Sequence, residues 1–202
     1  MRLKAILAIA FLAACLTAAG LVVGMRRGVT VRPMQGFTLY ISQTSYPETG
    51  DPIHTATKIR QQKSDGSWKL QTTYSNGRVD LGYGQPGRGV FAVDAKNQKL
   101  EYVSPSSPRG LADIDWTKEP GFVGEETILG YKTFHIHSEN DGQYVDSYMC
   151  PALQGYPLKT VIGNGRTKTV WEVTQIVLGE TMFEAAPDLP VSTKRFNEKL
   201  QR

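Results

Sequence analysis

Tyr156-Pro157-Leu158-Lys159-Thr160-Val161-Ile162-Gly163-Asn164-Gly165-Arg166-Thr167-Lys168-Thr169-Val170-Trp171-Glu172-Val173-Thr174-Gln175-Ile176-Val177-Leu178 is rich in β-branched residues and reads as one long β-hairpin. Residues 158–162 and 167–178 form its arms, and the Asn164-Gly165 pair between them suits the positive φ angles of a type I′ turn. At about 3.4 Å per residue the second arm spans roughly 40 Å, about twice the usual strand, so it has to cross a broad, curved sheet.

Working outward, the rest of the body is a series of short alternating segments separated by turn pairs. Phe37, Leu39 and Ile41 alternate with Thr38, Tyr40 and Ser42, which gives a strand with one apolar face. Trp68, Leu70, Thr72 and Tyr74 alternate in the same way after Asp65-Gly66, and Asn76-Gly77 turns the chain towards residues 78–81. Residues 90–93 and 99–103 flank a turn at 94–98, and Asn140-Asp141-Gly142 joins a strand around Phe134 and Ile136 to residues 144–149. The expected fold is mainly β: about nine or ten strands in a single curved antiparallel sheet, because the connections are too short for parallel crossovers. Helical signals in the body are confined to residues 111–116 and 196–202. The aromatic residues Tyr40, Tyr74, Tyr102, Tyr131, Tyr144, Tyr148 and Trp171 fall in expected strands. Which of them share a face is not fixed by period-two counting, since one bulge reverses every assignment.

The chain begins Met1-Arg2-Leu3-Lys4, followed by an uncharged apolar run over residues 5–24 and then Arg26-Arg27. This reads as an N-terminal apolar helix that addresses the chain to a membrane, and three readings stay open. Thr17-Ala18-Ala19 before Gly20 suits a secretory cleavage site. A run of about 20 apolar residues also suits a retained anchor. Leu12-Ala13-Ala14-Cys15 resembles a lipobox, in which Cys15 is the lipid attachment residue. The expected organisation is a signal peptide or anchor at 1–28, an antiparallel β domain at 29–190 and a C-terminal tail at 191–202. The expected location is the periplasmic side of a bacterial envelope.

The formal charge of +4 equals Arg2, Lys4, Arg26 and Arg27, so residues 28–202 are formally neutral. A nucleic-acid partner is therefore not expected, because phosphate neutralisation needs a basic face.

No Gly-x-Ser-x-Gly, Gly-x-x-x-x-Gly-Lys or Gly-x-Gly-x-x-Gly pattern occurs, and no catalytic residue or cofactor is signalled. His135 and His137 would project from one face of a strand at a spacing that can hold a metal, with Asp146 or Glu172 approaching from another strand. Paired polar side chains on the wet side of a sheet are the commoner source of such a pair, and no metal is expected. Cys150, beside Met149 and Pro151, has no local feature that would activate a thiol. Trp171 and Phe183 are candidate core anchors or ligand contacts.

In the C-terminal half, Glu125-Glu126-Thr127-Ile128-Leu129-Gly130-Tyr131-Lys132, Tyr156-Pro157-Leu158-Lys159, Thr169-Val170-Trp171-Glu172-Val173 and Met182-Phe183-Glu184-Ala185-Ala186-Pro187 follow one another. This order resembles bacterial envelope proteins of the lipoprotein-localisation type, the LolA/LolB-like half-barrels and related sigma-factor regulators. The resemblance implies a curved antiparallel sheet around short helices, with an apolar concavity that takes acyl chains. It therefore implies a non-enzymatic carrier whose partner is a lipid or an acylated protein, while the apolar run over residues 5–24 is what would contact the membrane. The alternative is a membrane-tethered interaction or sensory module that binds a protein at a sheet edge. The chain departs from the pattern in having few helices to fill the concave side.

Overall fold

The computed structural model describes residues 35–105 and 114–192. The apolar run with Cys15, the segment from Phe196, and residues 111–113 of the turn expected over 111–116 lie outside the described residues; at its end Trp116–Lys118 form a single 3-10 turn. Twelve strands form one sheet: β1 (Phe37–Tyr46), β2 (Ile53–Gln62), β3 (Trp68–Tyr74), β4 (Val79–Gln85), β5 (Gly89–Asp94), β6 (Lys99–Ser104), β7 (Phe122–Ile128), β8 (Tyr131–Asn140), β9 (Gln143–Cys150), β10 (Tyr156–Gly163), β11 (Lys168–Leu178) and β12 (Val191–Ser192). The order is β12-β6-β5-β4-β3-β2-β1-β11-β10-β9-β8-β7. Two meanders, β1 to β6 and β7 to β11, therefore meet where β1 pairs with β11, and the sheet does not close. Every pairing is antiparallel except the two-residue β12, which runs parallel to β6. The mainly β fold and the single curved sheet are as expected, with more strands than the turn pairs had indicated.

β7 is the strand the sequence hides. It carries Glu125-Glu126-Thr127 and leads into a tight turn in which Leu129 itself has φ 51° and Gly130 φ 80°. A γ-branched residue in the left-handed region is uncommon and gives no turn signal in advance. The expected type I′ turn is found instead at Asp141-Gly142, with φ 51° and 72°. At Asn164-Gly165 only the glycine has positive φ, at 81°. Asn164 Oδ1 accepts the backbone N–H groups of Arg166 and Thr167 at 3.2 and 3.0 Å, closing a four-residue loop. An asparagine side chain that mimics a backbone acceptor in this way replaces the second left-handed residue.

The core lies on one face of the seam. Phe37, Leu39 and Ile41 point the same way along β1 and are 1, 0 and 4% exposed. They pack with Val173 of β11, Leu158 of β10, Cys150, and Leu153 of the 3-10 turn Pro151–Leu153. Ile128, Tyr131, Tyr156, Trp171 and Ile176 complete the cluster.

After β11 the chain crosses the other face. Thr181 Oγ1 accepts from Thr38 Oγ1 and Gln61 Nε2, at 3.3 and 2.9 Å, and the Glu180 carboxylate accepts the Ser64 N–H. Lys63 Nζ lies 4.5 Å from the Phe183 ring centre. Residues Ala186, Pro187 and Leu189 then lie against Phe91 and Leu100, enclosing a recess of about 190 Å³, before β12 joins the edge. This strap covers the outer apolar side chains of β4 to β6, a common way to shield a sheet face and edge.

Candidate functional site

Directly opposed residues of an antiparallel pair share a face, so the ladder assigns side chains from β1 outward. Leu39 lies opposite Arg60, Ile41 opposite Lys58 and Phe37 opposite Gln62. Arg60 in turn opposes Leu70, Gln62 opposes Trp68, and Trp68 opposes Gly84. On the other flank Ile41 opposes Val173 and Gln43 opposes Trp171. Trp171 opposes Thr160, and Ile162 opposes Val145.

This face is concave. Arg60 and Tyr156 stand on β2 and β10, with β1 and β11 between them, roughly 14 Å apart in a flat sheet at about 4.8 Å per strand. The Arg60 guanidinium carbon nevertheless lies 4.7 Å from the Tyr156 ring centre, and on its other flank 4.3 Å from Trp68. Two residues along β2, Lys58 Nζ sits 3.1 Å from the centre of the Trp171 ring on β11, and Lys58 is 6% exposed. Long cations from β2 thus lie on aromatic rings from the opposite flank, a favourable contact when desolvated.

Trp68 fits there because of a glycine. A Cβ at Gly84 would come within 2.0 Å of the indole Nε1, so the ring occupies the space a side chain would take. Polar groups link the two flanks at the end of the cluster. Arg60 Nη2 donates to Gln62 Oε1 at 2.9 Å, Gln62 Nε2 donates to Gln154 Oε1, and Gln154 Nε2 reaches the Gln35 carbonyl at 3.5 Å. Burial works against the Arg60 charge and lowers its pKa, with a smaller opposing effect from Tyr156. Beyond the buried floor, Trp68, Leu70, Phe134, Ile136, Ile162 and Trp171 are half-buried.

The convex face carries the histidines. His135 Nε2 and His137 Nδ1 both lie 2.8 Å from the same Asp146 oxygen, and the His135 ring stacks on Tyr148 at 4.5 Å. Burial would raise the Asp146 pKa, but the hydrogen bonds from the two imidazoles outweigh it and hold the carboxyl below its ordinary value. Of the two carboxylates considered for this pair, Asp146 approaches and Glu172 makes no contact with it, lying exposed on β11. No group of three or more candidate metal ligands is found among the described residues. Cys150 is fully buried, and burial raises its thiol pKa. Trp171 stands on the concave face under Lys58, whereas Phe183 lies in the strap on the convex side. His54 is apart from both faces' clusters, bonded to Ser42 and Thr57. Lys58, Arg60 and Gln62 were not singled out by sequence. Their signal is their period-two spacing on a strand whose neighbour β1 buries Phe37, Leu39 and Ile41.

No family model matches the chain, and no curated protein matches it. Among solved structures it is similar to a LolA superfamily protein, NE2245, from Nitrosomonas europaea: TM-score 0.40, 8% identity, covering 76% of this chain and 90% of that one. It is similar to a chain of the Pseudomonas aeruginosa MucA/MucB complex, with TM-score 0.44 and 14% identity over 80% of this chain and 59% of that one. The Mycobacterium tuberculosis lipoprotein LppX is a third, with TM-score 0.34 and 11% identity over 72% of this chain and 88% of that one.

Proposed function

We propose that this is an exported envelope protein whose concave face binds an apolar ligand, a lipid or the acyl chain of a lipoprotein, without catalysing a reaction. The observation that supports this most is the row of half-buried Trp68, Leu70, Trp171, Ile162, Ile136 and Phe134 along that one face, continuous with the buried floor of the seam. Water against such a row is released when an acyl chain lies along it, at about 25 cal/mol for each Å² of apolar surface covered. Solvent extraction of the purified full chain followed by mass spectrometry tests it. A co-purified acyl compound is expected, and repeatedly empty extracts from protein made in its native envelope overturn it.

A second reading rests on β7. It is the last strand on its side, so one row of its backbone N–H and C=O groups is unpaired among the described residues, and Val123 is 59% exposed. An extended peptide could add there as a thirteenth strand. Crosslinking in intact cells separates the two readings: a specific protein adduct at β7 with no lipid recovered favours the second.

A further inference from the structure

The concave face carries a charge that its own acids do not answer. The ladder places Asp80, Asp94, Glu101 and Glu125 on this face. Each is engaged elsewhere: Asp80 with Arg78 at 3.0 Å, Asp94 and Glu101 with Lys99 at 3.6 and 3.4 Å, and Glu125 with Lys132 at 2.7 Å. Arg60, in the middle, has no carboxylate within 4 Å among the described residues. Its acceptor is the neutral Gln62 amide, and its Nε is buried without any acceptor. A guanidinium stays charged at all accessible pH and offers five donors in a planar fork that fits an oxyanion. Its flanks are taken by Trp68 and Tyr156, which leaves the edge of the fork for recognition.

We infer that Arg60 seats the oxyanion head, carboxylate or phosphate, of an amphiphile whose chain lies along the half-buried row, so that the ligand of the proposed function is an anionic lipid rather than a neutral one. Gln62 Oε1 holds the position that a ligand oxygen takes, and the amide remains tied to Gln154 when it gives way. Lys58, next along the same face of β2, adds positive potential to the seat. The seat thus selects the head and the aromatic row holds the tail, so the inference rests on the acyl-binding reading and sharpens it.

The test compares oleate, oleyl alcohol and inorganic phosphate by calorimetry on the delipidated full chain. Oleate is expected to bind at least about tenfold more tightly than the alcohol, as hydrogen bonds to a charged group imply. Equal affinities in the wild type overturn the seat and leave the acyl reading standing. Binding of neither amphiphile overturns both, and binding of phosphate alone shows a site for a free small anion and overturns the lipid assignment. Arg60→Met should reduce the ratio to about one, checked against a normal circular dichroism spectrum. Gln62→Glu provides the variant least disturbing to packing. It should place an internal carboxylate on the fork, raise the melting temperature, and abolish the preference for oleate. A preference that survives Gln62→Glu overturns the seat.

Discussion

Lys58 Nζ stands 3.1 Å above the centre of the Trp171 ring, although the two residues belong to different meanders and are separated by β1. The contact ties the flanks together across the seam. Cation–π contacts of a desolvated ammonium contribute about 1–2 kcal/mol, so Lys58→Met should lower the urea-unfolding free energy by about that much. The loss should be small when Trp171 has already been replaced by Leu, and equal losses in both backgrounds would show that the pair is not coupled.

Gly84 is expected to be intolerant of any side chain. Its Cβ position lies within 2.0 Å of the Trp68 indole, so Gly84→Val must push the ring off β4. A cost of about 2–3 kcal/mol is expected from such overpacking, with a change in tryptophan emission. Trp68→Ala should recover much of the loss in the double variant.

Asp146 gives a pH signature. Its carboxyl titrates below the ordinary 3.8 because His135 and His137 both bond to it, the burial that opposes this being outweighed. A depressed carboxylate stabilises the fold fully above the unfolded value and loses that contribution as pH falls through the folded one. Urea midpoints measured between pH 6 and about pH 2 should therefore fall more steeply for the wild type than for Asp146→Asn.

Cys150 should resist alkylation. It is 0% exposed and its thiol is shifted upward by burial, so iodoacetamide at neutral pH should leave Cys150 unmodified in the native protein and label it fully in urea, as read by peptide mapping. Rapid labelling without denaturant would contradict the packing of Leu153 over the seam.

The strap should protect β4 to β6. Truncation after Gly179 removes the cover of Phe91 and Leu100 and the pairing of Val191 in β12 with Leu100 in β6. Amide exchange is expected to quicken in β5 and β6 and to remain slow in β10 and β11, as local stability follows local cover.

The sheet was legible where physics is local. Asp65-Gly66, Asn76-Gly77 and Asp141-Gly142 mark real reversals, and the long arm ending at Leu178 is a real eleven-residue strand. β7 was hidden because an edge strand need not be apolar, and Glu125-Glu126-Thr127 interrupts the apolar alternation that marks the other strands. The concave cluster was hidden for a different reason. Period-two counting on β2 puts Ile59 on the buried side, yet Lys58 is 6% exposed, because curvature brings rings from residues 156 and 171 over the cations. Such contacts depend on register through two bulges, one beside Tyr40 and one beside Pro157, that no composition rule reveals.

The pairing of β1 with β11 also bears on how the chain reaches this state. Each meander is built from neighbours in sequence and can zip early, whereas joining Phe37 to Leu178 closes a loop of most of the chain and comes at a large entropic cost. Seam closure is therefore expected to be the slow step of refolding, and substitutions at Leu39 or Val173 should slow it more than those at outer hairpins. Arg60 meets Tyr156 only across that junction, so the seat proposed for a ligand head is assembled at the end of folding and not before.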